Sequence, residues 1–330
     1  MKVLYIYRHP DMGFSVGKVF RPIEQEMRRY AEVDAVYMPA PGYKPRAFIS
    51  NVRCARQAAR QKDYDIIHIT GTEHYLLPFL RRYRTVVTVH DIGFFTHQPF
   101  NLRAIWKYCL WIKTLKLAGR VTFISEKSHE DTLRFVKFHS GQDRIVYNAV
   151  GIEFHYVPKE VNKQCPVILH IGTKPNKNLN ATIIALKDLP HKLRIIGQLD
   201  DEQLNLLETY HTDYSAAWDL TDEQIVKEYE QCDIVDFPSL HEGFGQIVIE
   251  AQAVGRPVVT SNLSPMKENA AGSAVLIDPL NVESIREGYV KLLASPETYI
   301  KAGLENIKRF TIEAITKEYY SIYQDLLARR

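Results

Sequence analysis

The sequence is poor in cysteine and contains no long apolar run. Its four cysteines, Cys54, Cys109, Cys165 and Cys232, lack the close spacing of metal ligands, which argues against a zinc site and a disulfide framework. No stretch approaches the ~20 consecutive apolar residues that a membrane-spanning helix needs. The opening run MKVLYIYRHP breaks at Pro10, too early for the core of a signal peptide. We therefore expect a protein of the reducing cytoplasm without a spanning segment.

The sequence has little net charge, but that charge is unevenly distributed. The formal total of +3 divides into +11 for residues 1–150 (24 Lys and Arg against 13 Asp and Glu) and −8 for residues 151–330 (18 against 26). A basic first half suits an anionic partner such as a lipid-linked phosphate, an acidic glycan or a membrane surface. A solvated surface that complements an acidic partner domain explains the asymmetry equally well. We expect no nucleic-acid partner.

Short β-branched segments alternate with helical stretches along the chain, a pattern typical of parallel βαβ architecture. The strands predicted in the first half are Lys2–Tyr7, Val33–Met38, Asp65–Thr70, Thr85–His90, Arg120–Ile124 and Arg144–Tyr147. Those predicted in the second half are Val167–Gly172, Lys192–Gly197, Tyr214–Trp218, Ile234–Phe237, Pro257–Thr260 and Ala274–Ile277. The pattern predicts two Rossmann-like α/β domains with a seam within residues 150–164, and ligands at the carboxyl ends of the strands.

One stretch, PSLHEGFGQIVIEAQAVGRP (238–257), combines the features of an anion site with two carboxylates. It follows an apolar strand, contains the glycine-bearing loop His241–Gly245, and continues as a helix over Gln246–Val254. Such a helix start offers bare backbone N–H groups and the positive end of a helix dipole. Glu242 lies in the loop and Glu250 lies two turns into the helix. Two acids beside an anion site suit a ligand with hydroxyls around a phosphate, such as a nucleotide-sugar.

A second loop, in HIGTKPNKNLNATIIAL (170–186), supplies fixed positive charge. Its lysines, Lys174 and Lys177, stand between a strand that ends at a glycine and a helix that opens near Asn178, where a lysine can reach a phosphate. The only Asp-x-Asp spacing, Asp63–Tyr64–Asp65, precedes a strand and is typical of a turn. The pair Asp200–Asp201 indicates a helix start. The sequence therefore favours a site without a metal.

The segment FPSLHEGFGQIVIEAQAVGRPVVTSN, followed by PMKENAAGSAVLIDP, closely resembles the donor-binding signature of retaining GT-B glycosyltransferases, specifically glycosyltransferase family 4. The shared features are the paired glutamates around EGFG, a helix of small residues, a G-x-PVV strand and a short acidic helix. The resemblance implies a GT-B fold of two Rossmann-like domains facing across a cleft. Residues 1–155 would bind the acceptor, residues 156–308 the nucleotide-sugar donor, and residues 309–330 would form a helix that crosses back to the first domain.

The resemblance also assigns roles to residues. Glu242 would face the transferred sugar and stabilise its cationic transition state, and Glu250 would bind the ribose hydroxyls. Backbone N–H groups would bind sugar hydroxyls at Gly243, Phe244 and Gly245, and phosphates at Gln246, Ile247 and Val248. The alternative interpretation is that Glu242 caps the helix and Glu250 is a surface charge.

The lysine loop resembles the family's G-x-x-x-x-K-N segment, in which the lysine binds the diphosphate. Lys177 takes that place. Thr173 stands where the family frequently has an arginine, so Lys174 is the natural second cation, with a surface lysine as the alternative. The nucleobase is expected near Gly197–Gln198 and Asp219–Leu220, with Leu220 in contact with it, and the sequence leaves the base open.

Two candidates come from the first half. His90 ends an apolar strand in VVTVHDIGF and resembles the family's histidine beside the donor sugar, with a histidine buried in the core as the alternative. Gly13, in RHPDMGFSVGKVFRPI, resembles the glycine-rich loop near the pyrophosphate, although a plain helix-start loop is a competing interpretation. The catalytic candidates are therefore Glu242 and His90.

These observations predict a retaining, metal-independent glycosyltransferase that works without a cofactor. It would move a hexose from a nucleotide-sugar to a hydroxyl of a glycan or lipid-linked intermediate in polysaccharide biosynthesis. The alternatives are a GT-B sugar-nucleotide epimerase, a phosphorylase, or a non-catalytic sugar-nucleotide-binding partner. Peripheral contact of the basic first half with the inner membrane face is a further hypothesis. The segment AIWKYCLWIKTLK (104–116) fits a membrane-interface helix or, since its charges do not segregate onto one face, an ordinary packing helix.

Overall fold

The computed structural model describes residues 1–12, 15–96 and 101–328. The chain divides into two compact units, one formed by Met1–Ala149 with Thr311–Arg330 and the other by Val150–Phe310. The sequence placed these divisions a few residues away, at 155/156 and 308/309. The structure places them where the Val150 N–H donates to the Phe310 carbonyl oxygen at 2.8 Å, because this bond brings both ends of unit 2 together.

Unit 1 is built on a six-stranded parallel sheet with the order β2-β1-β3-β4-β5-β6. Its strands are β1 (Lys2–Tyr7), β2 (Glu32–Tyr37), β3 (Ile66–Ile69), β4 (Thr85–Val89), β5 (Arg120–Phe123) and β6 (Asp143–Ile145). Its helices before the division are α1 (Ser15–Met27), α2 (Pro45–Ala58), α3 (Gly93–Thr96), α4 (Leu102–Lys107) and α5 (Glu126–Leu133). The strand order reverses between β1 and β3.

Unit 2 has a second six-stranded parallel sheet with the order β12-β11-β10-β7-β8-β9. Its strands are β7 (Val167–Ile171), β8 (Lys192–Ile196), β9 (Tyr214–Ala217), β10 (Ile234–Phe237), β11 (Val258–Ser261) and β12 (Val275–Ile277). Its helices are α6 (Leu179–Leu186), α7 (Asp201–Thr209), α8 (Asp222–Gln231), α9 (Gln246–Val254), α10 (Met266–Ala270), α11 (Val282–Ala294) and α12 (Pro296–Asn306). The order reverses between β7 and β10, which opens a crevice at their carboxyl ends.

The predicted α/β architecture is confirmed, and all twelve predicted strands are present within one or two residues of their predicted ends. The prediction extended β7 to Gly172, but the strand ends at Ile171. Gly172 has φ +98°, a left-handed conformation that ends the extended backbone and that side chains disfavour. The central strands are buried on both faces, as parallel sheets covered by helices require.

The last helix, α13 (Ile312–Ala328), packs on unit 1 through a buried polar cluster as well as apolar side chains. The Tyr323 hydroxyl lies 2.6 Å from His68 Nδ1 and 3.0 Å from the Tyr5 hydroxyl, and Thr88 Oγ1 lies 2.8 Å from His68 Nε2. Burial lowers the pKa of His68 to about 3, so the imidazole is neutral. These directional bonds fix the register of α13 on the sheet.

Candidate active site

The candidate site occupies the crevice between β7 and β10 of unit 2. The loop after β7 contains a short 3-10 helix, Pro175–Lys177, and the loop after β10 leads directly into α9. Asn178 joins the loop after β7 to the loops after β10 and β12, because its Nδ2 donates to the carbonyl oxygens of Pro238 at 3.3 Å and Pro279 at 2.7 Å. Both loops lie where open parallel sheets bind ligands.

The amino end of α9 is shaped by Gly245, which has φ +81° and precedes the helix without a side-chain cap. A Cβ on Gly245 would lie 3.3 Å from Met266 Cγ, so both the backbone angle and the close packing favour glycine. Asn269 Nδ2 of α10 donates to the Phe244 carbonyl oxygen at 2.5 Å and ties the loop to that helix. The helix therefore starts abruptly, with its positive dipole end at the crevice.

The prediction that the Val248 N–H is free to bind phosphate is wrong. Val248 was expected to offer a free N–H in the first turn, but this N–H donates to the Gly245 carbonyl oxygen at 3.1 Å. The left-handed Gly245 turns its carbonyl toward the helix and closes a tight first turn. Gln246 and Ile247 remain at the helix start as predicted.

Lys177 and Glu242 meet in the crevice, with Lys177 Nζ 2.7 Å from Glu242 Oε1. The lysine stem lies over Gly172, where an added Cβ would be 2.8 Å from Lys177 Cγ. Its ammonium also lies 4.8 Å from the centre of the Phe237 ring, within cation–π range. The two side chains are 20% and 16% exposed, so the pair is accessible yet partly shielded from water.

Two further polar residues, which the sequence reasoning missed, fix Glu242. Ser239 Oγ lies 2.6 Å from Glu242 Oε1, and Asn176 Nδ2 lies 3.4 Å from the same oxygen. Ser239 Oγ also lies 2.8 Å from the Asn176 carbonyl oxygen, which joins the two loops. The only sequence signal was the position of Ser239 two residues before the glutamate loop. Glu242 bonds side chains rather than the N–H groups of α9, which argues against the helix-cap alternative.

Glu250 lies on α9 and accepts a hydrogen bond from the Tyr229 hydroxyl of α8 at 2.7 Å. Burial, the Glu250 charge and this bond raise the pKa of Tyr229 well above its usual value, so the phenol stays a donor. Glu250 is only partly exposed, unlike the surface charge of the alternative interpretation. The structure thus separates the two acids, with Glu242 at the loop and Glu250 farther along α9.

The remaining predicted donor residues extend along the same edge of the sheet. Thr173 Oγ1 donates to the Gln198 carbonyl oxygen at 2.7 Å, which ties the loop after β7 to the loop after β8. Lys174 is exposed, and Leu220 packs on the apolar cluster beneath the loop after β9. The structure therefore gives Thr173 a loop-joining role that the sequence did not indicate.

The first-half candidates lie in unit 1 or outside the described residues. His90 follows β4, and its Nε2 lies 2.8 Å from the Thr70 carbonyl oxygen, the backbone contact of the buried-core alternative. Burial lowers its pKa, so the ring is neutral. Its role toward a sugar stays a prediction. Gly13 lies outside the described residues.

Unit 1 contains an acid that the sequence reasoning did not single out. Glu73, after β3, is 1% exposed, and its Oε2 has no hydrogen-bond partner among the residues that the structure describes. Burial raises its pKa to about 7, against a lowering effect of the Arg8 charge. Nothing in the local sequence distinguishes this glutamate from a surface one.

Two further findings concern metal binding and membrane-spanning helices. Asp65 of the Asp-x-Asp spacing accepts a hydrogen bond from the Lys2 N–H at 2.8 Å, which is a structural role. Within the described ranges, no group of three or more His, Cys, Asp or Glu side chains is arranged to bind a metal ion. Over the same ranges, no helix has the length and apolarity to cross a bilayer.

Comparison with known proteins matches both units to glycosyltransferases. Residues 153–309 match the family described as "Glycosyl transferases group 1", and residues 13–154 match "Glycosyltransferase Family 4". A curated relative, O-antigen chain mannosyltransferase B of Escherichia coli, is 27% identical over 297 residues, covering 82% of this chain and 77% of the relative. The chain belongs to glycosyltransferase family 4 of the GT-B class, and it is a sugar-transferring enzyme.

Two solved structures share the fold over nearly the whole length. Sucrose-phosphate synthase from Thermosynechococcus elongatus has a TM-score of 0.76 at 17% identity, and each chain is covered to 100%. HepE from Anabaena, solved with UDP and glucose, has a TM-score of 0.70 at 16% identity, covering 98% of this chain and 100% of the other. At these identities the similarity supports the fold alone.

Proposed function

We propose that this enzyme transfers a hexosyl group from a nucleoside diphosphate sugar to a hydroxyl of a glycan or lipid-linked acceptor, with retention and without a metal ion. The observation that carries the proposal is the pairing of Lys177 with Glu242 at the amino end of α9. A cation, a helix dipole and a carboxylate converge there, which suits a diphosphate leaving group attached to a polyhydroxylated sugar. The name of the E. coli relative makes a mannosyl group the first sugar to test.

Binding of the donor would break the ion pair between Lys177 and Glu242. On binding, the Lys177 ammonium would turn from Glu242 to the diphosphate, and the amino end of α9 would face the same charge. Glu242 would then accept sugar hydroxyls and oppose the positive charge that develops on the anomeric carbon. Ser239 would hold the carboxylate in place throughout. Glu250 would accept hydrogen bonds from the ribose hydroxyls, with Tyr229 fixing its orientation.

The transfer step is proposed to occur on one face of the sugar. The bond from the anomeric carbon to the phosphate oxygen breaks as the bond to the acceptor oxygen forms. The acceptor proton passes to the departing phosphate oxygen, and the products are the glycosylated acceptor and a nucleoside diphosphate. Trapping of a covalent glycosyl adduct on a side chain would overturn this route.

The proposal is tested by incubating the enzyme with GDP-mannose or UDP-glucose and a panel of glycan and polyprenyl phosphate acceptors. The expected result is a new glycoside with the donor's anomeric configuration, formed at an unchanged rate with EDTA present. Loss of turnover with EDTA would overturn metal independence. A changed sugar released from donor alone would indicate an epimerase, phosphate-dependent turnover a phosphorylase, and donor binding without any turnover a non-catalytic partner.

Unit 1 offers a surface for the proposed membrane contact. Four arginines on one face of α2 and its continuation are exposed, and none pairs with an acidic side chain in the described part of the chain: Arg46, Arg53, Arg56 and Arg60. Residues 35–62 contain no Asp or Glu. Arginines without internal partners suit an anionic lipid surface.

Unit 1 also exposes apolar side chains. Ile49 on α2 is 49% exposed, and Phe79, whose ring lies 5.9 Å from that of Phe48, is 39% exposed. The predicted helix over residues 104–116 is broken by a π-turn, Tyr108–Ile112, which buries Trp111 and leaves Trp106 47% exposed. The segment therefore packs in the core through Trp111 and presents the Trp106 ring to solvent. Exposed tryptophans of this kind are common in protein surfaces that contact membranes.

A vesicle assay tests the membrane contact. Sedimentation with phosphatidylglycerol vesicles is expected, and binding to phosphatidylcholine vesicles should be much weaker. Replacing Arg53 and Arg56 by glutamate should weaken binding to the anionic vesicles. Each lost positive charge should remove ~1 kcal/mol of binding free energy, and the added negative charges should increase the loss. Lys187→Glu combined with Lys192→Glu, which reverses two exposed lysines of unit 2, is the matched control. Equal binding to both lipids would contradict the proposal.

A further inference from the structure

The edge of unit 2 beyond the candidate active site continues as a connected series of loops. From β10 the order runs through β7 and β8 to the edge strand β9. Thr173 after β7 bonds Gln198 after β8, and the Gly197 N–H donates to the Ala217 carbonyl oxygen of β9 at 2.8 Å. Three strand spacings span ~14 Å, comparable with the length of an extended nucleoside diphosphate. A donor with its diphosphate at α9 would thus bring its base to the loop after β9.

This loop has an apolar floor and two exposed side chains. Leu220 packs in one cluster with Ile196, Ala217 and Ile247, the last of these from the first turn of α9. Trp218 and Asp219 of the same loop are exposed. The floor therefore connects the loop physically to the proposed phosphate site.

Trp218 presents a flat aromatic surface. It is 62% exposed, and it makes no ring contact or hydrogen bond with any described residue. A tryptophan that packing does not require, placed beside a nucleotide site, is suited to stack on a base. Such stacking contributes ~1–3 kcal/mol and favours the larger purine ring system.

Asp219 supplies a carboxylate that has no internal partner. It is exposed, and across the described ranges it forms neither a hydrogen bond nor an ion pair. A carboxylate accepts two parallel N–H donors, the geometry of its pairing with a guanidinium group. Guanine offers such a pair at N1 and N2. Uracil offers one N–H between two carbonyl groups that the carboxylate would repel, and adenine has an acceptor at N1.

We propose that Trp218 and Asp219 form a guanine-selective subsite, in which the indole stacks on the base and the carboxylate accepts hydrogen bonds from N1 and N2. This inference rests on the proposed function and specifies its donor as a guanosine diphosphate sugar. Thr221 caps α8 directly after this loop, and its hydrogen bond to the Gln224 N–H anchors the chain behind Asp219.

Calorimetric titration of the full-length enzyme with GDP, UDP and ADP tests the subsite. The wild type should bind GDP about tenfold or more tightly than UDP and ADP, since one bidentate pair contributes ~1–3 kcal/mol. Asp219→Asn keeps the shape of the side chain and should abolish the preference for GDP, because GDP loses its paired acceptor and UDP no longer meets a repelling carboxylate. Trp218→Ala should weaken GDP and ADP by about tenfold and UDP by less, with recovery in Trp218→Phe.

The amino end of the same strand provides matched controls. Asp213→Asn and Tyr214→Ala alter an exposed acid and an exposed aromatic ring there, and they should leave all three affinities unchanged. Binding of UDP or ADP by the wild type at least as tight as that of GDP, or an unaltered GDP preference in Asp219→Asn, overturns the subsite but keeps the proposed function. Failure to bind any of the three overturns both.

Discussion

The two units share six parallel strands but differ in how they hold ionisable groups at the carboxyl edge of the sheet. In unit 2, Lys177 and Glu242 are partly exposed and paired with each other. In unit 1, His68 within β3 and Glu73 and His74 after it are each no more than 1% exposed, and burial shifts the pKa of each toward its neutral form. Charge is thus retained where an anionic ligand is expected and suppressed where packing dominates. The same architecture therefore supports a partly exposed ion pair at the candidate site of one unit and a cluster of buried, neutral groups in and after β3 of the other.

The largest expected effect comes from the charged side of this contrast. Glu242→Gln keeps the shape of the side chain but removes its negative charge, so it should lower kcat on the order of 10²–10³-fold, as loss of a preorganised electrostatic group does. Initial-rate measurement with the best donor checks this value. The control is Glu305→Gln, which alters an exposed acid on α12. An unchanged kcat would show that the glutamate has no part in the reaction.

Acid should affect unit 1 before unit 2. Burial lowers the pKa of His68 to about 3 and that of His74 to about 4, so the unfolded chain binds more protons below pH ~6.5 and stability falls as the pH decreases. From pH 7.5 to 5 each histidine should remove ~2 kcal/mol.

Hydrogen exchange followed by mass spectrometry at both pH values reports the two units separately. Peptides of β3 and β4 should lose protection at pH 5 before those of β7 and β10. His68→Gln retains hydrogen-bonding groups without titrating, so it should reduce the pH dependence. Earlier loss of protection in unit 2 would reverse the comparison.

Within unit 2 the two loop lysines should differ. Lys177→Met removes a cation held in the crevice and should weaken nucleoside diphosphate binding roughly ten- to a hundredfold, the effect of a charged hydrogen bond worth ~1.5–3 kcal/mol. Lys174→Met alters an exposed lysine in the same loop and should have a much smaller effect. The same titration measures both, and equal losses would assign the diphosphate to both cations.

The smallest effect concerns Glu73. Its pKa is raised to about 7, so its ionisation opposes folding and stability falls as the pH rises through that value. Glu73→Gln should therefore stabilise the protein, by ~1 kcal/mol more at pH 8 than at pH 6. Thermal unfolding at the two pH values measures this difference. A pH-independent change would instead indicate that Arg8 keeps the carboxylate charged.

The sequence predicted elements well where local signals were strong. Helix α9 has its predicted bounds because left-handed glycines, Gly245 and Gly255, stand at both ends. Parallel strands were recognisable as continuous apolar runs, because both faces of the sheets are covered. Their ends shifted by a residue or two where glycines or turns left the extended conformation.

Hydrogen-bond partners that come from distant loops could not be predicted from the sequence. Ser239 and Asn176 approach Glu242 only after β7 and β10 become neighbours, and the Tyr229 bond to Glu250 depends on how α8 packs on α9. The π-turn at Tyr108–Ile112 and the buried state of Glu73 likewise depend on tertiary packing. Resemblance supplied candidate roles, while the structure supplied the contacts that hold these side chains.

The hydrogen bond between Val150 and Phe310 makes unit 2 a cassette with adjoining ends. A short peptide could close residues 150–310 into a ring at little entropic expense, and one fusion point on each side suffices to exchange the cassette for that of a relative. Unit 1 has no such freedom, since its sheet needs α13 from the far end of the chain. Chimeras between relatives of this fold should therefore fold more readily when unit 2 is exchanged as a whole than when the chain is joined once, in the middle.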